Sequence, residues 1–479
     1  MSDSRVFGAV DLGASGGRVI AGVVDGDRVD LVEIHRFPNA AVAIDGHLRW
    51  KIDVLFGEVL VGLAKLASRY PQVESIGIDT WAVDYGLLGM AGELLEDPIA
   101  YRDGRTAASV AWVHDRVDPA ELFAINGLQF LPFNTIYQLA AERQSSRWSS
   151  TRRVVLLPDL IAYWLTGELG TEATNASTTG LVDVRTGAWS DPLLDLLGID
   201  SGLLPRIERS GTVRGEVLPE RCAELGLRPG TVVTTVGSHD TASAVVALPA
   251  TDRSFAYIAS GTWSLVGLEL DGPVLTTDAR TANFTNEGGV DGRTRFLRNV
   301  GGLWLLQESM REWAEQGRAV DLEGVIADAA AIATGGPEFD VDDDSFIPPG
   351  DMPHRIAVRA GDPTLADDPP RLARCVIDSL AGAYVRTIAA ASRLADRPVE
   401  IIHVVGGGAQ NHLLCQQTAD RSGLPVTAGP VEATALGNVL IQARAHGAAP
   451  STLKGLRSLV EQRDVIRTHF PKHDMETRS

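Results

Sequence analysis

The same succession of structural signals occurs in both halves of this sequence, and it limits the possible folds more than any other feature. A glycine-rich hairpin turn at 12–17 precedes an amphipathic helix at 53–70 and a buried strand at 73–78. The second half has a hairpin turn at 260–262 and, after a long helix and a strand, a triple-glycine turn at 406–408. Segments in this order form layers in which helices cover a mixed sheet. The sequence therefore predicts an α/β protein with two lobes of one architecture.

The length of the chain agrees with two lobes. Its 479 residues, 44% hydrophobic and 22% charged, are typical of a globular protein too long for a single compact core. We expect an N-terminal lobe at 1–245, a C-terminal lobe at 246–465 and a disordered tail at 466–479. A polar, loop-rich stretch at 95–216 predicts a helical elaboration of the first lobe.

Composition excludes several classes of partner. The formal net charge of −19 opposes a nucleic-acid or anionic membrane surface, since both need a basic patch. No stretch has the length of a membrane span, and the opening MSDSRVFGAV lacks the apolar run of a signal peptide. Cys222, Cys375 and Cys415 are scattered and indicate no disulfide framework. We expect a cytoplasmic protein, monomeric or homodimeric, that binds neither nucleic acid nor membrane.

The tetrapeptide Ser238-His239-Asp240-Thr241 is the strongest candidate for catalysis. It joins an apolar β-branched run to a helix of small residues, so the backbone can fix the Asp240 carboxylate at a strand–helix junction. Amides of the first helical turn would keep that carboxylate ionised, as a general base requires. The alternative is an ordinary corner in which Ser238 or Asp240 caps the helix.

The two hairpin turns suit phosphate oxygens. Gly13, Gly16 and Gly17 allow backbone amides to approach a ligand closely, and Ser15 adds a hydroxyl. A second turn of the same kind, with Gly261 at its centre, could hold the same polyphosphate. Only four lysines are present, none in a P-loop or protein-kinase setting, and GGGAQN is not a dinucleotide fingerprint.

Asp11 directly precedes the first of these turns. A carboxylate beside a phosphate loop is repelled unless a divalent cation lies between them, which makes Asp11 a candidate Mg²⁺ ligand. Because none of the four lysines lies in a phosphate-binding motif, the phosphate charge would be neutralised by backbone amides, hydroxyls, Mg²⁺ and Arg18.

These motifs resemble those of the FGGY carbohydrate kinases of the actin/hexokinase/Hsp70-like superfamily, and within them the rhamnulokinases. The resemblance covers nearly the whole chain, through the stretches AVDLGASGGRV, SIGIDTWAVDYGLL, AYRDGRT, GLQFLPFNTIYQL, LLPDLIAYWLTGE, EATNASTTGLVD, VGSHDTASAV, ASGTWSLVG, FLRNVGGLWLLQES, VVGGGAQNHLLCQQTAD and AGPVEATALGNVLIQA. The stretches DTWAVDY, LQFLPFNT and RNVGGLWLLQE point to rhamnulokinases in particular.

The resemblance implies a fold and a set of roles. It implies two actin/hexokinase-like (ribonuclease H-like) lobes, each a mixed β-sheet flanked by helices, with the active-site cleft between them. Asp240 would be the general base, and the sugar would contact Trp81, Ala82, His239, Asp240, Thr241 and Asn299. The ATP-binding residues would be Gly13, Ala14, Ser15, Gly16, Gly17, Arg18, Gly261, Thr262, Gln307, Gly406, Gly407 and Gly408. Position 82 is alanine where many relatives have glycine.

The expected reaction is Mg²⁺-dependent transfer of phosphate from ATP to the 1-hydroxyl of L-rhamnulose. Another ketose, such as L-fuculose or D-xylulose, and a non-catalytic sugar sensor on the same fold are the alternatives. Two interpretations are open for three tryptophans: they line the wall or the core of the protein, or they contact the sugar directly. These residues are Trp81, Trp263 and Trp304. Arg102 and Arg105 could bind substrate or pair with Asp97 and Asp103 on a surface loop.

Overall fold

The protein is described here by a computed structural model covering residues 4–250, 254–318, 320–332, 336–463 and 466–472. These residues group into two compact units that are not continuous stretches of chain. Unit 1 comprises 1–251, 269–296 and 433–463, and unit 2 comprises 252–268, 297–432 and 464–479. The lobe limits 1–245 and 246–465 stay a prediction. Among the described residues, no helix is long and apolar enough to cross a membrane.

The described strands are β1 Arg5–Gly13, β2 Gly16–Asp25, β3 Arg28–Pro38, β4 Ala41–Ile44, β5 His47–Trp50, β6 Ser75–Thr80, β7 Tyr85–Leu88, β8 Arg153–Leu156, β9 Thr171–Glu172, β10 Ile207–Glu208, β11 Val213–Glu216, β12 Val232–Thr234, β13 Phe255–Ser260, β14 Trp263–Leu270, β15 Thr285–Gly288, β16 Thr294–Gly301, β17 Ile401–Val405, β18 Val426–Ala428 and β19 Arg467–His469.

The described α-helices are α1 Ile52–Arg69, α2 Ala107–His114, α3 Pro119–Asn126, α4 Thr135–Glu142, α5 Leu157–Thr166, α6 Ala173–Ala176, α7 Asp191–Leu197, α8 Pro219–Leu225, α9 Asp240–Val246, α10 Thr277–Thr281, α11 Trp304–Glu315, α12 Leu322–Ala331, α13 Met352–Arg359, α14 Pro369–Ala395, α15 His412–Ser422, α16 Ala433–Ala445 and α17 Leu453–Arg463. Short 3-10 turns lie at Gly104–Thr106, Ser146–Ser150, Ser201–Leu203, Val290–Gly292, Asp344–Phe346, Pro363–Asp367 and Gly407–Gln410.

Unit 1 contains a mixed six-stranded sheet in the order β11–β12–β6–β1–β2–β3. The strands β1, β2 and β3 form consecutive antiparallel hairpins, while β6 is parallel to both β1 and β12. This is the hairpin, helix and strand succession that the sequence predicts at 12–78.

Helix α16 packs closely on this sheet from far along the chain. A Cβ added at Gly22 would lie 2.3 Å from a Val439 methyl carbon, so the strand must be bare at this position. The Gln442 side chain donates to the Gly8 carbonyl at 3.0 Å. Residues 433–463 therefore belong to the core of unit 1 although they lie near the end of the sequence.

Unit 2 contains the strands β14–β13–β17–β18–β19 in that order, part of a seven-stranded sheet. Strands β13, β17 and β18 are parallel, β14 is antiparallel to β13, and β19 is antiparallel to β18. Helix α14 begins where Asp368 accepts from the Arg371 amide and ends at Asp396, which has a left-handed φ of 49°. Its apolar residues at every fourth position are buried, as the periodicity predicts for a helix at 372–394.

The expected disorder of the tail 466–479 is wrong for Arg467–His469. These residues form β19, which pairs antiparallel with β18 and completes one edge of the sheet. Backbone hydrogen bonds to the neighbouring strand β18 order these three residues. Residues 473–479 lie outside the described residues.

Candidate active site

Three segments of unit 1 end side by side at one edge of its sheet. Strands β1 and β6 are parallel, and the segment after β12 joins them, with the Thr80 amide donating to the Ser238 carbonyl at 2.9 Å. The Trp81 amide donates to the Leu12 carbonyl at 3.2 Å. The carboxyl ends of parallel strands are where open α/β sheets place ligands. This edge carries both the predicted base and the predicted phosphate hairpin.

Asp240 is the first residue of α9, and 28% of its side chain is exposed. Burial is the main cause that raises its pKa from 3.8 to about 6, and the Asp11 carboxylate adds to the increase. His239 and the Thr241 amide, which donates to Oδ1 at 2.6 Å, act in the opposite direction. The predicted helix amide is therefore present, but burial outweighs it. The carboxyl group remains mostly ionised at pH 7 and can accept a proton.

A second carboxylate, Asp79, lies beside Asp11 in the pairing of β6 with β1 and is completely buried. The Asn438 amide nitrogen donates to Asp79 Oδ2 at 2.5 Å, whereas Oδ1 accepts no hydrogen bond from the described residues. Burial and then the Asp11 charge raise the pKa of Asp79 well above its usual range. The edge of the sheet therefore brings together three aspartates, and the environment of Asp79 favours its protonated form.

The first glycine hairpin turns at Ala14 and Ser15, between the paired residues Gly13 and Gly16. Ser15 is exposed at the apex. Asn39, which directly follows β3, holds the turn, because its side chain donates to the Gly13 carbonyl at 3.0 Å and its amide to the Ser15 carbonyl at 3.2 Å. The exposed turn is thus fixed before any ligand arrives.

Gly17 and Arg18 follow this turn on β2. A Cβ at Gly17 would lie 2.3 Å from the Phe37 ring, so a larger residue would displace the hairpin. The Arg18 guanidinium lies 2.5 Å from Asp11 Oδ2. Arg18 therefore partly compensates the carboxylates at this edge, and one oxygen of Asp11 is already bound.

Buried hydrogen bonds fix the backbone in front of Asp240. The completely buried Glu172 accepts from both the amide and the hydroxyl of Ser238, each at 3.0 Å. The Thr174 hydroxyl donates to Glu172 and accepts from the His239 amide at 3.2 Å. The Ser-His-Asp segment is therefore held in place by residues of β9 and α6.

The segment predicted to contact the sugar has an unusual backbone. Val83 has a φ of 69°, which is strained for a β-branched residue. Its carbonyl accepts from the Thr135 hydroxyl at 2.7 Å and from the Gln138 amide at 3.2 Å. These two hydrogen bonds stabilise the strained backbone conformation of Val83. They thereby also orient the preceding residue, the half-buried Ala82.

The Trp81 side chain is buried and engaged with other protein groups. Its indole nitrogen donates to Asp84 Oδ2 at 2.9 Å, and the Trp50 indole donates to the same oxygen at 2.6 Å. The two indole rings are 4.5 Å apart between centroids. Burial raises the pKa of Asp84 to about 6 against the effect of these donors. The Trp81 indole N–H is thus bound within the protein, and its ring packs against Trp50.

Arg105 does not form the surface pair with Asp97 or Asp103 that was one of its two sequence interpretations. Its guanidinium is nine-tenths buried and donates to Glu142 at 2.5 Å. Asp103 accepts from the backbone amide of Arg105 and not from its side chain. Arg102 lies over the neighbouring tyrosine ring at 5.1 Å.

In unit 2 the predicted nucleotide-binding turns contact one another. A Cβ at Gly408 would lie 2.3 Å from the Ser260 Cβ, so the triple-glycine turn packs directly on the second hairpin. Gly406 has a φ of 80° and a ψ of −165°, a combination that is essentially restricted to glycine. A Cβ at Gly302 would lie 2.5 Å from the Thr262 carbonyl oxygen. Glycine at these positions is what allows the turns to approach.

Helix α11 starts on the same hairpin. The Leu303 amide donates to the Gly261 carbonyl at 3.0 Å, which ties the first turn of the helix to the loop. Gln307 lies one turn further along α11 and is exposed. Asn299, predicted to contact the sugar, lies half-buried on β16. Unit 2 therefore brings Gly261, Gln307 and the triple glycine into one neighbourhood.

The residues of unit 1 are compatible with a bound magnesium ion, and Asp11 as its ligand stays a prediction. Among the described residues, no cluster of three or more histidine, cysteine, aspartate or glutamate side chains could hold a metal alone. Mg²⁺ does not need one, because it usually takes one or two carboxylates and completes its shell with water and phosphate. Asp11 supplies such a carboxylate, and Asp79 Oδ1, which accepts no hydrogen bond from the described residues, is a further oxygen on the neighbouring strand.

Several site residues carry no signal that sequence reasoning used. Asp79 ends a predicted strand directly opposite Asp11, and that position was the one available clue. Glu172, Glu287 and Arg295 lie in ordinary strand patterns, far in sequence from the Ser-His-Asp segment that they support. Their contacts arise from tertiary packing, which local patterns do not report.

Comparison with known proteins identifies the family. The model of the FGGY family of carbohydrate kinases, N-terminal domain, matches residues 6–247, and that of the C-terminal domain matches residues 256–446. The chain is 39% identical over 474 residues to a rhamnulokinase of Bacteroides thetaiotaomicron, covering 97% of this chain and 96% of the relative. A rhamnulokinase of Klebsiella pneumoniae (strain 342) is 42% identical over 466 residues, covering 96% and 92%.

Solved structures agree on the fold. Gluconate kinase from Lactobacillus acidophilus superposes with a TM-score of 0.79 at 19% identity, covering 99% of this chain and 95% of that one. Xylulose kinase from the same organism gives 0.78 at 18% identity, with the same coverage. The predicted α/β class, with mixed sheets flanked by helices in two domains, is confirmed. With both family domains matched across most of its length, the chain belongs to the FGGY family of carbohydrate kinases, and it is a sugar kinase.

Proposed function

We propose that the protein transfers the γ-phosphoryl group of ATP to the 1-hydroxyl of L-rhamnulose, with Asp240 as the general base. The observation that carries this proposal is the Asp240 carboxyl group, partly exposed at the strand-end edge with a pKa of about 6. The substrate is proposed from the relatives, because two rhamnulokinases are 39% and 42% identical to this chain over nearly its full length.

Asp240 has the properties that the acceptor side of this reaction needs. With a pKa of about 6, its ionised form outnumbers the protonated form about tenfold at pH 7. In a loose phosphoryl-transfer transition state the hydroxyl proton leaves late, so orientation of the base matters more than its strength. The bonds that Ser238 donates to Glu172 and that the Thr241 amide donates to Asp240 supply that orientation.

The sugar would lie against residues around this carboxylate. His239 and Thr241 flank the base, and Ala82 follows β6 at the same edge. Trp81 would form a wall of the site, since its indole N–H is bound to Asp84. Asn299 is proposed as a further sugar contact from the family resemblance.

The phosphates would be held by backbone amides at Gly13–Gly17 together with Arg18, which is the cation nearest to Asp11. Thr262 and Gly261 in the second hairpin, with Gln307 and the turn Gly406–Gly408, would receive the nucleotide in unit 2. The mutual contacts of these unit 2 segments support this assignment.

Asp11 would hold Mg²⁺, directly or through water. When bound, the ion would neutralise phosphate charge that the Asp11 and Asp240 carboxylates otherwise repel. Arg18, already at 2.5 Å from Asp11, would share this task from the protein side.

We also propose a cytoplasmic location and a monomeric or homodimeric state. ATP is a cytoplasmic phosphate donor, and the three cysteines are buried and free, as in proteins of a reducing compartment.

The proposal is tested by coupled ADP release with MgATP and a panel of ketoses: L-rhamnulose, L-fuculose, D-xylulose, L-ribulose and D-fructose. We expect L-rhamnulose to lead in kcat/KM by about tenfold or more, a difference of about 1.4 kcal/mol in transition-state binding. A lead by another ketose would replace the substrate and keep the kinase. Phosphorylation of a different hydroxyl, read from the product by NMR, would overturn the assignment of the 1-position.

The role of Asp240 is tested separately. Asp240→Asn keeps the shape of the side chain and removes its basicity, so kcat should fall by about 10²- to 10⁴-fold while ATP binding persists. Near-normal turnover of this variant would exclude Asp240 as the base.

A further inference from the structure

Arg295 is completely buried in unit 1, and every edge of its guanidinium meets an acceptor. Its Nε donates to the Gly288 carbonyl at 3.0 Å, and its Nη1 donates to the Thr241 hydroxyl at 2.9 Å. Its Nη2 lies 3.0 Å from both His239 Nδ1 and Glu287 Oε2. A planar fork of this kind fixes the positions of all four partners.

These contacts determine which nitrogen of His239 carries the proton. A guanidinium has no acceptor, so in its bond to Nδ1 the arginine donates and the histidine accepts. A neutral imidazole with an accepting Nδ1 carries its proton on Nε2. Glu287 lies 3.3 Å from the same Nδ1, but this approach is longer than the arginine bond and its oxygen is already bound to Arg295.

The proton on Nε2 then faces the predicted base. His239 Nε2 lies 3.0 Å from the Thr241 hydroxyl and 3.5 Å from Asp240 Oδ1. The Thr241 oxygen thereby receives donors from both Arg295 and His239, which fills its two lone pairs. Its own hydroxyl proton is left to donate to a third group.

We propose that Arg295 is a positioning residue: it locks His239 in the Nε2–H tautomer, so that the ring N–H donates to the Thr241 oxygen and leaves the Thr241 O–H as a donor on the substrate side of Asp240. The catalytic consequence rests on the proposed function, because it concerns the sugar hydroxyl that Asp240 deprotonates. A sugar in this place would meet the Thr241 hydroxyl as a fixed donor and the Asp240 carboxylate as an acceptor. Loss of Arg295 would let the imidazole change tautomer and turn an acceptor toward the same oxygens.

The tautomer can be measured without any turnover. In protein labelled with nitrogen-15 histidine, the His239 ring signals are assigned as those lost in His239→Gln, and they are recorded above pH 8 in the absence of substrate. We expect the signal of a protonated nitrogen at Nε2 and of an unprotonated nitrogen at Nδ1. A protonated Nδ1 in the wild-type protein would overturn the proposal, whether or not the enzyme accepts rhamnulose.

Variants of the buried ion pair test the consequence. Removing Arg295 alone would strand the Glu287 charge and endanger folding, so the test variant is the double substitution Glu287→Gln/Arg295→Met. The control is Glu287→Gln, which leaves the bond from Arg295 to Nδ1 in place. Melting temperatures of both are compared first.

The control should keep the Nε2–H signal, and its kcat and KM are the reference values for the double variant. The double variant should show mixed tautomers and a kcat about tenfold lower or more, with KM for MgATP changed by less than about twofold. The acid limb of its kcat/KM should also move to higher pH. Arg295, like His239 and the Thr241 amide, lowers the pKa of Asp240, whereas Asp11 raises it. Loss of Arg295 should therefore raise the pKa of Asp240.

A double variant that keeps both kcat and the Nε2–H signal would contradict the proposal. If the double variant does not fold, the wild-type tautomer alone decides the question. If no sugar is phosphorylated by the wild type, the proposed function fails while the tautomer result still stands by itself.

Discussion

Asp11 and Asp79 are direct neighbours in the parallel pairing of β1 with β6, so two carboxylates share one edge of the unit 1 sheet. Ionisation of Asp79 is unfavourable in this arrangement. The residue is completely buried, and its Oδ1 accepts no hydrogen bond from the described residues. Burial and the Asp11 charge both raise its pKa. Such a residue stays in a protein at the expense of stability, and active sites are where this is common.

We predict that Asp79→Asn stabilises the protein at neutral and alkaline pH. The raised folded pKa means that the folded chain holds a proton which the unfolded chain has lost above about pH 4. Stability therefore decreases as the pH rises through this window, and the amide abolishes the decrease. The melting temperature of the variant should exceed that of wild type at pH 8 and converge with it toward pH 4.

The exposed Asp195 offers a matched control for this substitution. Asp195→Asn should change the free energy of unfolding by less than about 0.5 kcal/mol at every pH. Its melting temperature should therefore stay close to that of wild type. A lower melting temperature of Asp79→Asn at pH 8 would show that the ionised carboxylate is favourable where it lies, and would contradict the prediction.

The raised pKa of Asp240 predicts an acid limb in the rate profile. Its pKa is about 6, and a base must be unprotonated to act, so kcat/KM for the sugar should fall tenfold per pH unit below that value. The measurement is initial rate between pH 5 and 9 at constant ionic strength. Melting temperatures over the same range control for acid unfolding. A rate independent of pH down to 5 would show that the titrating base is a different group.

The order of strands and helices could be predicted from the sequence because local patterns determine it. The glycine hairpins and the four-residue spacing in α14 are properties of neighbouring residues, and the structure confirms them. The position of the Ser-His-Asp segment at a strand–helix junction could be predicted for the same reason.

The packing around the site could not be predicted in this way. Asn438 donates to Asp79 across 359 positions of sequence, and Arg295 reaches His239 across 56. No periodicity links such pairs, because each partner lies in an element with an ordinary pattern of its own. The ordered strand at Arg467–His469 was missed for the same reason, since its partner β18 lies about forty residues away.

Val83 allows a test of backbone strain beside the sugar segment. Its φ of 69° disfavours any residue with a Cβ, by about 1 kcal/mol or more relative to glycine. Val83→Ala and Val83→Gly both lose the buried side chain, but only the glycine variant also loses the strain. We predict that Val83→Gly is at least as stable as Val83→Ala in denaturant unfolding.

Val59, buried within α1, supplies the control for this pair. There the backbone is helical, so Val59→Ala should be more stable than Val59→Gly by about 1 kcal/mol. If the alanine variant were the more stable one at both positions, the conformation at Val83 would not be strained.

The contact between Gly408 and Ser260 predicts a selective defect in nucleotide binding. An alanine Cβ at 408 would lie 2.3 Å from the Ser260 Cβ, so the second hairpin must move. We predict that Gly408→Ala raises KM for MgATP by about ten- to a hundredfold, since displacement by a few tenths of an ångström to an ångström suffices to lose such geometry. KM for the sugar should change little.

Gly272→Ala is a control outside the proposed nucleotide site, because no heavy atom lies within 4 Å of a Cβ built there. This variant should resemble wild type in both KM values. An unchanged KM for MgATP in Gly408→Ala would contradict the proposed role of the packing of this turn on the hairpin.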